Sequence, residues 1–312
     1  MYAATGDAIV VLDEHDGRWS VRAALEGSGA QCVAAGGNGV VVAGARLGGV
    51  WWSADRGRTW AAAGLTDREI FSVAVSPADG AVYAGCEPSA LFRSPDGTGG
   101  WEELEALHAV PSASSWAFPP RPWTSHVRWI APDPHAAERL LVGIEAGAVL
   151  LTEDGGRTWE DHRPGADRDP HTLAWHPAVP GRAYEAGGGG SAWSRDGGRN
   201  WMRADAGRDR HYTWALAVDA DDPDRWWVSA ASGPWRAHGG HDTRARIYRW
   251  DGAWEAVTAD LDAFPYALLV ERGVLYAGFG DGRLLASPDG GGTWDEVALD
   301  GDRPSRIWAL AA

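Results

Sequence analysis

A short turn motif recurs along this chain at an almost constant interval. Four full copies share the pattern Ser/Thr-x-Asp-x-Gly-x-Thr/Asn-Trp and lie at 53–60, 152–159, 194–201 and 287–294. Three weaker copies keep the turn and its tryptophan and lie at 16–19, 94–101 and 251–254. The seven closing tryptophans are spaced by 41, 41, 58, 42, 53 and 40 residues. The chain is therefore built from repeats of about 41 residues, and this repeat constrains the fold more than any other feature.

The repeat length and the hydrophobic pattern inside each repeat predict a propeller. A period of this size is typical of four-stranded propeller blades. Within a period, apolar runs such as 70–75 and 81–85 read as strands. Residues 2–6 have the pattern of the second strand of a blade, but no first strand precedes them in this sequence. Residues 306–311 have the pattern of the first strand of a blade, and no second strand follows them. The sequence therefore predicts an all-β, seven-bladed β-propeller of four-stranded antiparallel blades, in which the C-terminal strand completes the N-terminal blade.

The repeat also predicts the domain organisation. By length alone, 312 residues would suit two domains, but one repeat covers the whole chain, so we expect a single domain over 1–312. The predicted blades are 305–312 with 1–26, 30–64, 69–107, 125–162, 170–205, 212–258 and 264–299.

Each residue of the turn motif has a mechanical role. The aspartate accepts hydrogen bonds from turn N–H groups, and the glycine supplies a positive φ without steric cost. The Ser/Thr hydroxyl caps the strand end, and the tryptophan fills apolar space between neighbouring sheets. We therefore interpret the motif as structural in every copy and expect function in the loops.

The four full copies of this motif resemble the Asp-box (BNR-repeat) β-propellers. That group includes sialidases, sortilin-type receptors, xyloglucan-acting glycosidases and the photosystem II assembly factor. The resemblance covers essentially the whole chain and implies the fold, whereas for function it implies a mixed group. A sialidase would also carry a Phe/Tyr-Arg-Ile-Pro segment, and the nearest strings, 91–95 and 305–308, lack that motif. The resemblance therefore argues against a true sialidase.

Charge and cysteine content exclude several function classes. The formal net charge of −15 argues against nucleic acid and anionic membranes as partners, because both need a basic surface. No apolar run approaches the roughly 18 residues of a membrane-spanning helix. Cys32 and Cys86 are too few for a disulfide framework. With no secretory signal recognisable at the start, we expect a cytoplasmic protein, with a processed secreted form left open.

The two longest repeats indicate the binding face. Their extra residues fall at 109–125 and 233–244, in loops predicted to lie on the face opposite the turn motif. Insertions of this kind commonly lie on the binding face of repeat folds. The alternative is that the insertions only cover the blades.

Aligning the predicted inner strands gives two sets of side chains. The two sets are two residues apart along each strand, so their side chains point to the same side of the sheet. The first set is Gln31, Phe71, Arg128, His171, Trp214, Tyr266 and Trp308. The second set, two residues earlier, is Gly29, Glu69, His126, Asp169, Tyr212, Phe264 and Arg306. If that direction is inward, charged and aromatic groups line the mouth of the central channel. The alternative is a solvated rim of ion pairs.

These sets predict a polar and aromatic pocket at the channel mouth. The candidate catalytic residues are Glu145, His171, Arg128, Glu69 and Asp169. The candidate ligand-binding residues are His126, Tyr212, Trp214, Trp235, Arg236, Tyr266, Asp281, Arg306 and Trp308. No zinc-signature spacing occurs, so we predict neither metal nor cofactor. Three histidines remain as outside candidates for metal ligands: His126, His171 and His211.

Three classes of function stay open at this point. The first is a pocket for a small polar molecule or glycan, in which aromatic rings stack and charged groups orient the ligand; glycosidase-type hydrolysis there needs two carboxylates. The second is a metal- or histidine-dependent hydrolase or lyase acting on a small molecule. The third is a non-catalytic scaffold for a protein partner, as the resemblance to an assembly factor implies.

Overall fold

The computed structural model describes residues 1–119 and 124–312. The described residues form 28 strands, one short α-helix and three 3₁₀ turns. In the first half of the chain the strands are β1 (Tyr2–Ala4), β2 (Ile9–His15), β3 (Arg18–Ala24), β4 (Ala30–Ala35), β5 (Val41–Ala45), β6 (Val50–Ser53), β7 (Ala61–Gly64), β8 (Glu69–Val75), β9 (Val82–Glu87), β10 (Leu91–Ser94), β11 (Glu102–Glu103), β12 (Val127–Pro132), β13 (Leu140–Ile144) and β14 (Ala148–Thr152). In the second half they are β15 (Pro170–Trp175), β16 (Ala183–Gly187), β17 (Gly190–Ser194), β18 (Met202–Arg203), β19 (Tyr212–Val218), β20 (Arg225–Ala231), β21 (Arg246–Asp251), β22 (Trp254–Ala256), β23 (Pro265–Glu271), β24 (Val274–Phe279), β25 (Leu284–Ser287), β26 (Asp295–Glu296), β27 (Leu299–Asp300) and β28 (Ala309–Ala311).

The helical segments are few and lie in the connections between strands. The α-helix, α1, spans Pro234–His238, and the 3₁₀ turns span Gly37–Gly39, Glu105–Ala109 and Pro111–Ser115. No helix among the described residues combines the length and the apolar character needed to span a membrane.

Seven sheets follow one another along the chain, and their inner strands form a closed ring. Six sheets have consecutive strands in order: β4–β7, β8–β11, β12–β14, β15–β18, β19–β22 and β23–β26. In the seventh, β28 pairs antiparallel with β1, which continues to β2 and β3. The inner strands β28, β4, β8, β12, β15, β19 and β23 contact one another in that circular order. The predicted seven-bladed propeller and its closure by the C-terminal strand are thus confirmed, while the residue limits given for each blade stay predictions.

Two sheets differ in detail from a plain four-stranded blade. In the sheet β12–β14, the outer edge is represented by a single bridge between Leu151 and Glu160. In the seventh sheet, β27 adds a short parallel pairing outside β3, in which Leu299 lies opposite Trp19. These differences affect only the outer edges, so the inner ring is unchanged.

The hydrophobic core is divided into seven layers, one between each pair of neighbouring sheets. In β5, for example, Val41 and Ala43 face the layer shared with the seventh sheet, whereas Val42 faces the layer shared with β8–β11. Every residue of β5, β13 and β16 is buried, because each second strand of a blade is covered on both faces. Alternate side chains along one strand therefore stabilise two different blade interfaces.

The repeated turn forms the hydrogen bonds that its residue types imply. Asp154 Oδ1 accepts from the Thr158 N–H at 2.9 Å, and Asp154 Oδ2 accepts from the Thr158 hydroxyl at 2.6 Å. The Thr152 hydroxyl donates to Asp154 at 2.9 Å and accepts from the Gly156 N–H at 3.0 Å. The turns that begin at Ser53, Ser194 and Ser287 repeat this network.

We expect Asp154→Ala to lower the free energy of unfolding by about 1 kcal/mol at neutral pH, as the loss of a cap does. These hydrogen bonds outweigh the opposing effect of burial and lower the pKa of Asp154 to about 2 from its ordinary 3.8. The folded state therefore favours the carboxylate, and its stabilising effect is present above pH 4 and lost as the pH falls toward 2. Urea unfolding of wild type and variant between pH 7 and pH 2 should show the difference shrinking. The control Asp67→Ala, at an exposed aspartate, should change stability little at any pH.

Candidate functional site

Inner strands carry β-bulges at the equivalent position in six of the seven sheets. A bulge places one extra residue in a strand and re-aims its side chain, and bulges are common beside functional sites. The extra residues are Gln31, Phe71, Arg128, His171 and Tyr266, and in β19 the two residues Trp214 and Ala215 lie opposite the single residue Ser229. In the seventh sheet, Trp308 directly precedes the inner strand β28. The bulged positions coincide with the first set of side chains that the sequence alignment brought together.

Small residues lie opposite these bulges on the second strands. A Cβ added at Gly85 would lie 2.5 Å from both Ser72 Oγ and Val127 Cγ1, and one added at Gly278 would lie 2.4 Å from Ile307 Cγ2. Glycine is therefore required here because the inner strand of the next blade approaches the backbone closely.

The bulged side chains of successive sheets contact one another around the ring. The Arg128 guanidinium carbon lies 5.7 Å from the Phe71 ring centre and 4.4 Å from that of Trp214. The ring centres of Trp214 and Tyr266 are 5.8 Å apart, and those of Tyr266 and Trp308 are 4.3 Å apart. The His171 ring lies 4.3 Å from that of Trp214, so six of the seven aligned positions form one connected group.

Glu145 is the centre of a buried ionic cluster. It follows β13 and is only 5% exposed. One of its oxygens, Oε2, lies 2.6 Å from His126 Nε2 and 3.6 Å from Arg128 Nε, while Oε1 lies 3.8 Å from His171 Nε2. Burial alone would raise the pKa of Glu145, but these three groups outweigh burial and lower it to about 2. We call Glu145, His126, Arg128, His171 and Asp169 the central cluster.

The His126 ring is fixed by two aromatic contacts and by a hydrogen bond at Nε2. It stacks on Phe71 with ring centres 3.8 Å apart, and Phe118 packs edge-on at 5.0 Å. Its Nε2 donates to Glu145, while Nδ1 lies 3.6 Å from Glu87 Oε2. The other oxygen of Glu87 accepts from the Thr124 hydroxyl at 2.8 Å. His126 therefore connects two carboxylates from neighbouring sheets.

The His171 ring is fixed by a hydrogen bond to the neighbouring inner strand. Its Nδ1 lies 2.6 Å from the carbonyl oxygen of Thr213, and because a carbonyl only accepts, Nδ1 carries the hydrogen. Its Nε2 is buried and lies 3.6 Å from Asp169 Oδ2. Asp169 Oδ1 accepts from the Ala146 N–H at 3.0 Å. Burial raises the pKa of Asp169 and the charge of Glu145 adds to this, against the lowering effect of His171.

A chain of hydrogen bonds lies beside the central cluster, where the Tyr212 ring contacts His171 at 5.1 Å, and includes His238 of helix α1. The Tyr212 hydroxyl lies 2.8 Å from His238 Nε2, and His238 Nδ1 lies 2.9 Å from the Tyr266 hydroxyl. Removal of the ring nitrogens from water, together with the field of His171, lowers the pKa of His238 to about 4. Burial raises the pKa of Tyr212 and raises that of Tyr266 to about 12. All three side chains are therefore neutral at physiological pH.

The structure brings together many of the residues that the sequence singled out, but not all. Among the candidate catalytic residues, Glu145, His171, Arg128 and Asp169 lie in the central cluster, whereas Glu69 pairs with Arg46 at 3.4 Å outside it. Among the candidate ligand-binding residues, those in the cluster or in ring contact with its surroundings are His126, Tyr212, Trp214, Tyr266, Trp308 and Arg306, the last of these stacked on Trp308 at 4.9 Å.

The remaining candidates lie apart from the central cluster. Trp235 is 92% exposed. Arg236 pairs with Asp242 at 3.1 Å, and Asp281 pairs with Arg283 at 2.7 Å. Of the three outside candidates for metal ligands, His126 and His171 both face Glu145, whereas His211 is exposed.

The sequence interpretation did not include Glu87 or His238 among the site residues. A signal for Glu87 was present, since 85–87 and 143–145 both read Gly-x-Glu at the end of a second strand. Aligning the second strands as well as the inner strands would have placed Glu87 beside Glu145. His238 lies in the insertion 233–244, which the sequence singled out, but its contacts with the two tyrosines depend on helix α1 and leave no periodic signal.

The two insertions contribute differently. In 109–125, Val110 and Trp116 pack into the core layer between β8–β11 and β12–β14, so part of this segment covers the blades. Residues 120–123 lie outside the described residues. The other insertion, 233–244, forms α1 and brings His238 to the tyrosines. The first insertion thus covers the blades in part, whereas the binding role expected for the second stays a prediction.

A surface depression away from the central cluster offers less chemistry. It has a volume of about 260 Å³ and is lined by Arg182, Arg195 and Asp224, among others. There Arg182 already pairs with Asp224 at 2.8 Å and stacks on Trp193 at 3.9 Å. We therefore assign the candidate site to the central cluster.

Comparison with known proteins supports the fold alone. No family model and no curated protein matches the chain. Among solved structures, a GH74 xyloglucanase from Xanthomonas campestris is 18% identical with a TM-score of 0.64, covering 86% of this chain and 45% of its own. The chain thus spans less than half of that enzyme.

Two further structures match over most of both chains. YCF48 bound to a D1 peptide is 18% identical with a TM-score of 0.58, covering 86% of this chain and 81% of its own. A structure of the nidogen/laminin complex is 13% identical with a TM-score of 0.58, covering 99% and 96%. At such low identity these likenesses concern the fold: the chain is a seven-bladed β-propeller similar in architecture to proteins of different function.

Proposed function

We propose that the central cluster and the aromatic side chains beside it form a pocket for a small polyhydroxylated ligand of glycan type. The observation that carries this proposal is the buried carboxylate of Glu145, surrounded by two histidines and an arginine at 2.6–3.8 Å. Burying so many ionisable groups together costs free energy. If the side chains around Glu145 served only to pack the central axis of the propeller, they would be apolar.

The half-buried groups beside Glu145 support a ligand of mixed character. Arg128 is 17% exposed and Asp169 is 36% exposed, so both reach beyond the buried part of the cluster. Half-buried Tyr266 and Trp308 continue the lining. Aromatic faces beside a few convergent polar groups are typical of small-molecule sites. Sugars offer apolar ring faces and hydroxyls that match this combination.

One observation also favours hydrolysis as a second candidate function. Glu145 and Asp169 each offer an oxygen, and these oxygens lie within 4.8 Å of one another, a spacing that suits the roughly 5 Å carboxyl pairs of retaining glycosidases. However, Glu145 is enclosed by His126, Arg128 and His171. That enclosure favours ligand binding over attack by this carboxylate on a sugar.

Calorimetric titration with defined oligosaccharides tests the proposal. The probes are a cellulose-type tetrasaccharide, a xyloglucan heptasaccharide and a tetragalacturonate, and reducing-sugar release is measured in the same samples. We expect saturable binding of at least one probe, weakened at least about tenfold by Arg128→Gln and by Trp308→Ala, in line with the loss of one charged or stacking contact. The matched control Arg157→Gln, at an exposed arginine, should bind like wild type.

Three outcomes would overturn the proposed pocket. The first is that no probe binds, and the second is that Arg128→Gln and Trp308→Ala bind as wild type does. The third is binding that persists in Arg128→Gln but is lost in Trp235→Ala, which would place recognition on the exposed surface of α1, as a protein-binding scaffold requires. Release of reducing ends that Glu145→Gln abolishes would add hydrolysis to binding.

A further inference from the structure

Three potential metal-ligand atoms converge inside the central cluster. Glu145, Asp169 and His171 each present one such atom, and the three atoms lie within 4.8 Å of one another. His171 Nε2 is 3.6 Å from Asp169 Oδ2 and 3.8 Å from Glu145 Oε1. Donor atoms on one tetrahedral ion with bonds of about 2.1 Å lie about 3.4 Å apart. Shifts of a few tenths of an ångström would therefore bring His171 Nε2 to this spacing from both oxygens, and the Glu145 and Asp169 oxygens, which lie within 4.8 Å of each other, would have to reach the same spacing around one ion.

Each of these residues is oriented by its other polar atom. Glu145 Oε2 accepts from His126 Nε2, Asp169 Oδ1 accepts from the Ala146 N–H, and His171 Nδ1 donates to the Thr213 carbonyl. In metal sites, outer partners of this kind fix the ligands and set the histidine tautomer. The outer partners therefore leave Oε1, Oδ2 and Nε2 facing one another.

His171 supplies the observation that separates this cluster from an ordinary group of acidic residues. The residue is 1% exposed, and its Nε2 forms no hydrogen bond within the described residues. Because Nδ1 donates to the Thr213 carbonyl, Nε2 is the ring nitrogen that faces the two carboxylate oxygens, at 3.6 and 3.8 Å. A buried polar atom without a hydrogen-bond partner is costly, and a cation held between the three atoms would satisfy it.

We propose that Glu145 Oε1, Asp169 Oδ2 and His171 Nε2 bind one first-row divalent transition-metal ion. One imidazole and two carboxylates form a donor set that suits Zn²⁺ or Mn²⁺ better than Ca²⁺ or Mg²⁺, which prefer oxygen ligands alone. Three protein ligands leave at least one coordination position, on the side where Asp169 is exposed. That position is open to a hydroxyl or carboxylate group.

The role of the ion rests on the proposed function, because the ion would hold a hydroxyl of the ligand in the same pocket. The binding of the ion itself depends only on the geometry of its three ligands. The two proposals can therefore fail separately, and the experiment uses the metal alone.

Calorimetric titration of the full chain with Zn²⁺, and separately with Mn²⁺, after EDTA treatment and dialysis tests the site. We expect one equivalent of metal to bind to wild type. Asp169→Asn should lower the metal affinity by at least about tenfold to hundredfold, because losing even a residue that only orients a metal ligand lowers affinity by that factor. Asp169 is half-exposed, so this variant keeps the buried packing. The matched control Asp242→Asn, at an exposed aspartate, should retain wild-type affinity. A crystal grown with Zn²⁺ should show one anomalous peak within bonding distance of all three atoms.

The proposal is overturned if wild type binds neither ion, if Asp169→Asn binds as tightly as wild type, or if the anomalous peak lies on other histidines such as His211 or His241. Oligosaccharide binding that survives EDTA alongside a flat metal titration would overturn the metal site and leave the pocket standing. Metal binding at the three residues without binding of any oligosaccharide would overturn the proposed pocket and leave the metal site standing.

Discussion

Replacing Glu145 by alanine is expected to lower the free energy of unfolding by about 3–5 kcal/mol, the usual cost of removing one partner from a buried ionic group. The substitution removes the acceptor of His126 Nε2 and leaves Arg128 without the buried carboxylate 3.6 Å from its Nε. The arginine cannot respond by losing its proton, because its pKa is too high. Chemical unfolding in EDTA, followed by tryptophan fluorescence, measures the loss.

The double variant Glu145→Ala/Arg128→Met should recover part of that stability, since it removes the charge that the single variant leaves unpaired. The matched control Glu138→Ala breaks an exposed pair with Arg157 and should cost less than about 1 kcal/mol. If Glu145→Ala costs no more than this control, the carboxylate is solvated and the central cluster is not the buried group described above.

Replacing Trp226 by alanine should produce a loss of similar size, about 3–5 kcal/mol, through a different mechanism. Trp226 is fully buried between the sheets β15–β18 and β19–β22, with its ring centre 4.7 Å from that of Trp254 and 5.5 Å from that of Tyr184. Alanine would leave a cavity that the flanking strands β16 and β20 cannot close. Because the Trp226 N–H has no hydrogen-bond partner in the described structure, Trp226→Phe should cost clearly less.

Thermal and urea unfolding measure both Trp226 variants. The same substitution at Trp235, which is 92% exposed, should change stability by less than about 0.5 kcal/mol. A loss at Trp235 as large as that at Trp226 would contradict the assignment of stability to the layers between sheets. It would indicate instead that α1 is packed against another surface.

The fold could be predicted from the sequence because the signal is repeated. One turn motif says little, but seven closing tryptophans at near-constant spacing determine the number of blades. The pairing of β28 with β1 was also predictable, since 306–311 has the pattern of an inner strand. The parallel contact of β27 with β3 was not, because two paired residues leave no periodic pattern.

The candidate site was predictable where it follows the repeat. Arg128, His171 and Trp214 were singled out because they occupy one aligned position, and the structure gives the physical reason, a bulge at that position in successive inner strands. A period-two alternation alone would not predict the bulges. The glycines opposite them, such as Gly85 and Gly143, were a local signal for them.

Other parts of the site depend on distances that spacing does not encode. The sequence predicted no metal because no zinc signature occurs, and the proposed ligands Glu145, Asp169 and His171 come from two sheets and meet only through the packing of β12 against β15. Likewise, Glu69 and Asp169 occupy equivalent positions in different blades. Glu69 pairs with Arg46, and Asp169 faces His171.

The bulges at the inner end of the ring also bear on how recognition by such a protein can diversify. A bulged residue stands outside the regular ladder of its strand, so exchanging its side chain leaves the strand register unchanged. Six positions, from Gln31 to Tyr266, share this property. Point substitutions there can alter what the centre of the ring recognises one position at a time, while the repeated turns and core layers keep the scaffold unchanged.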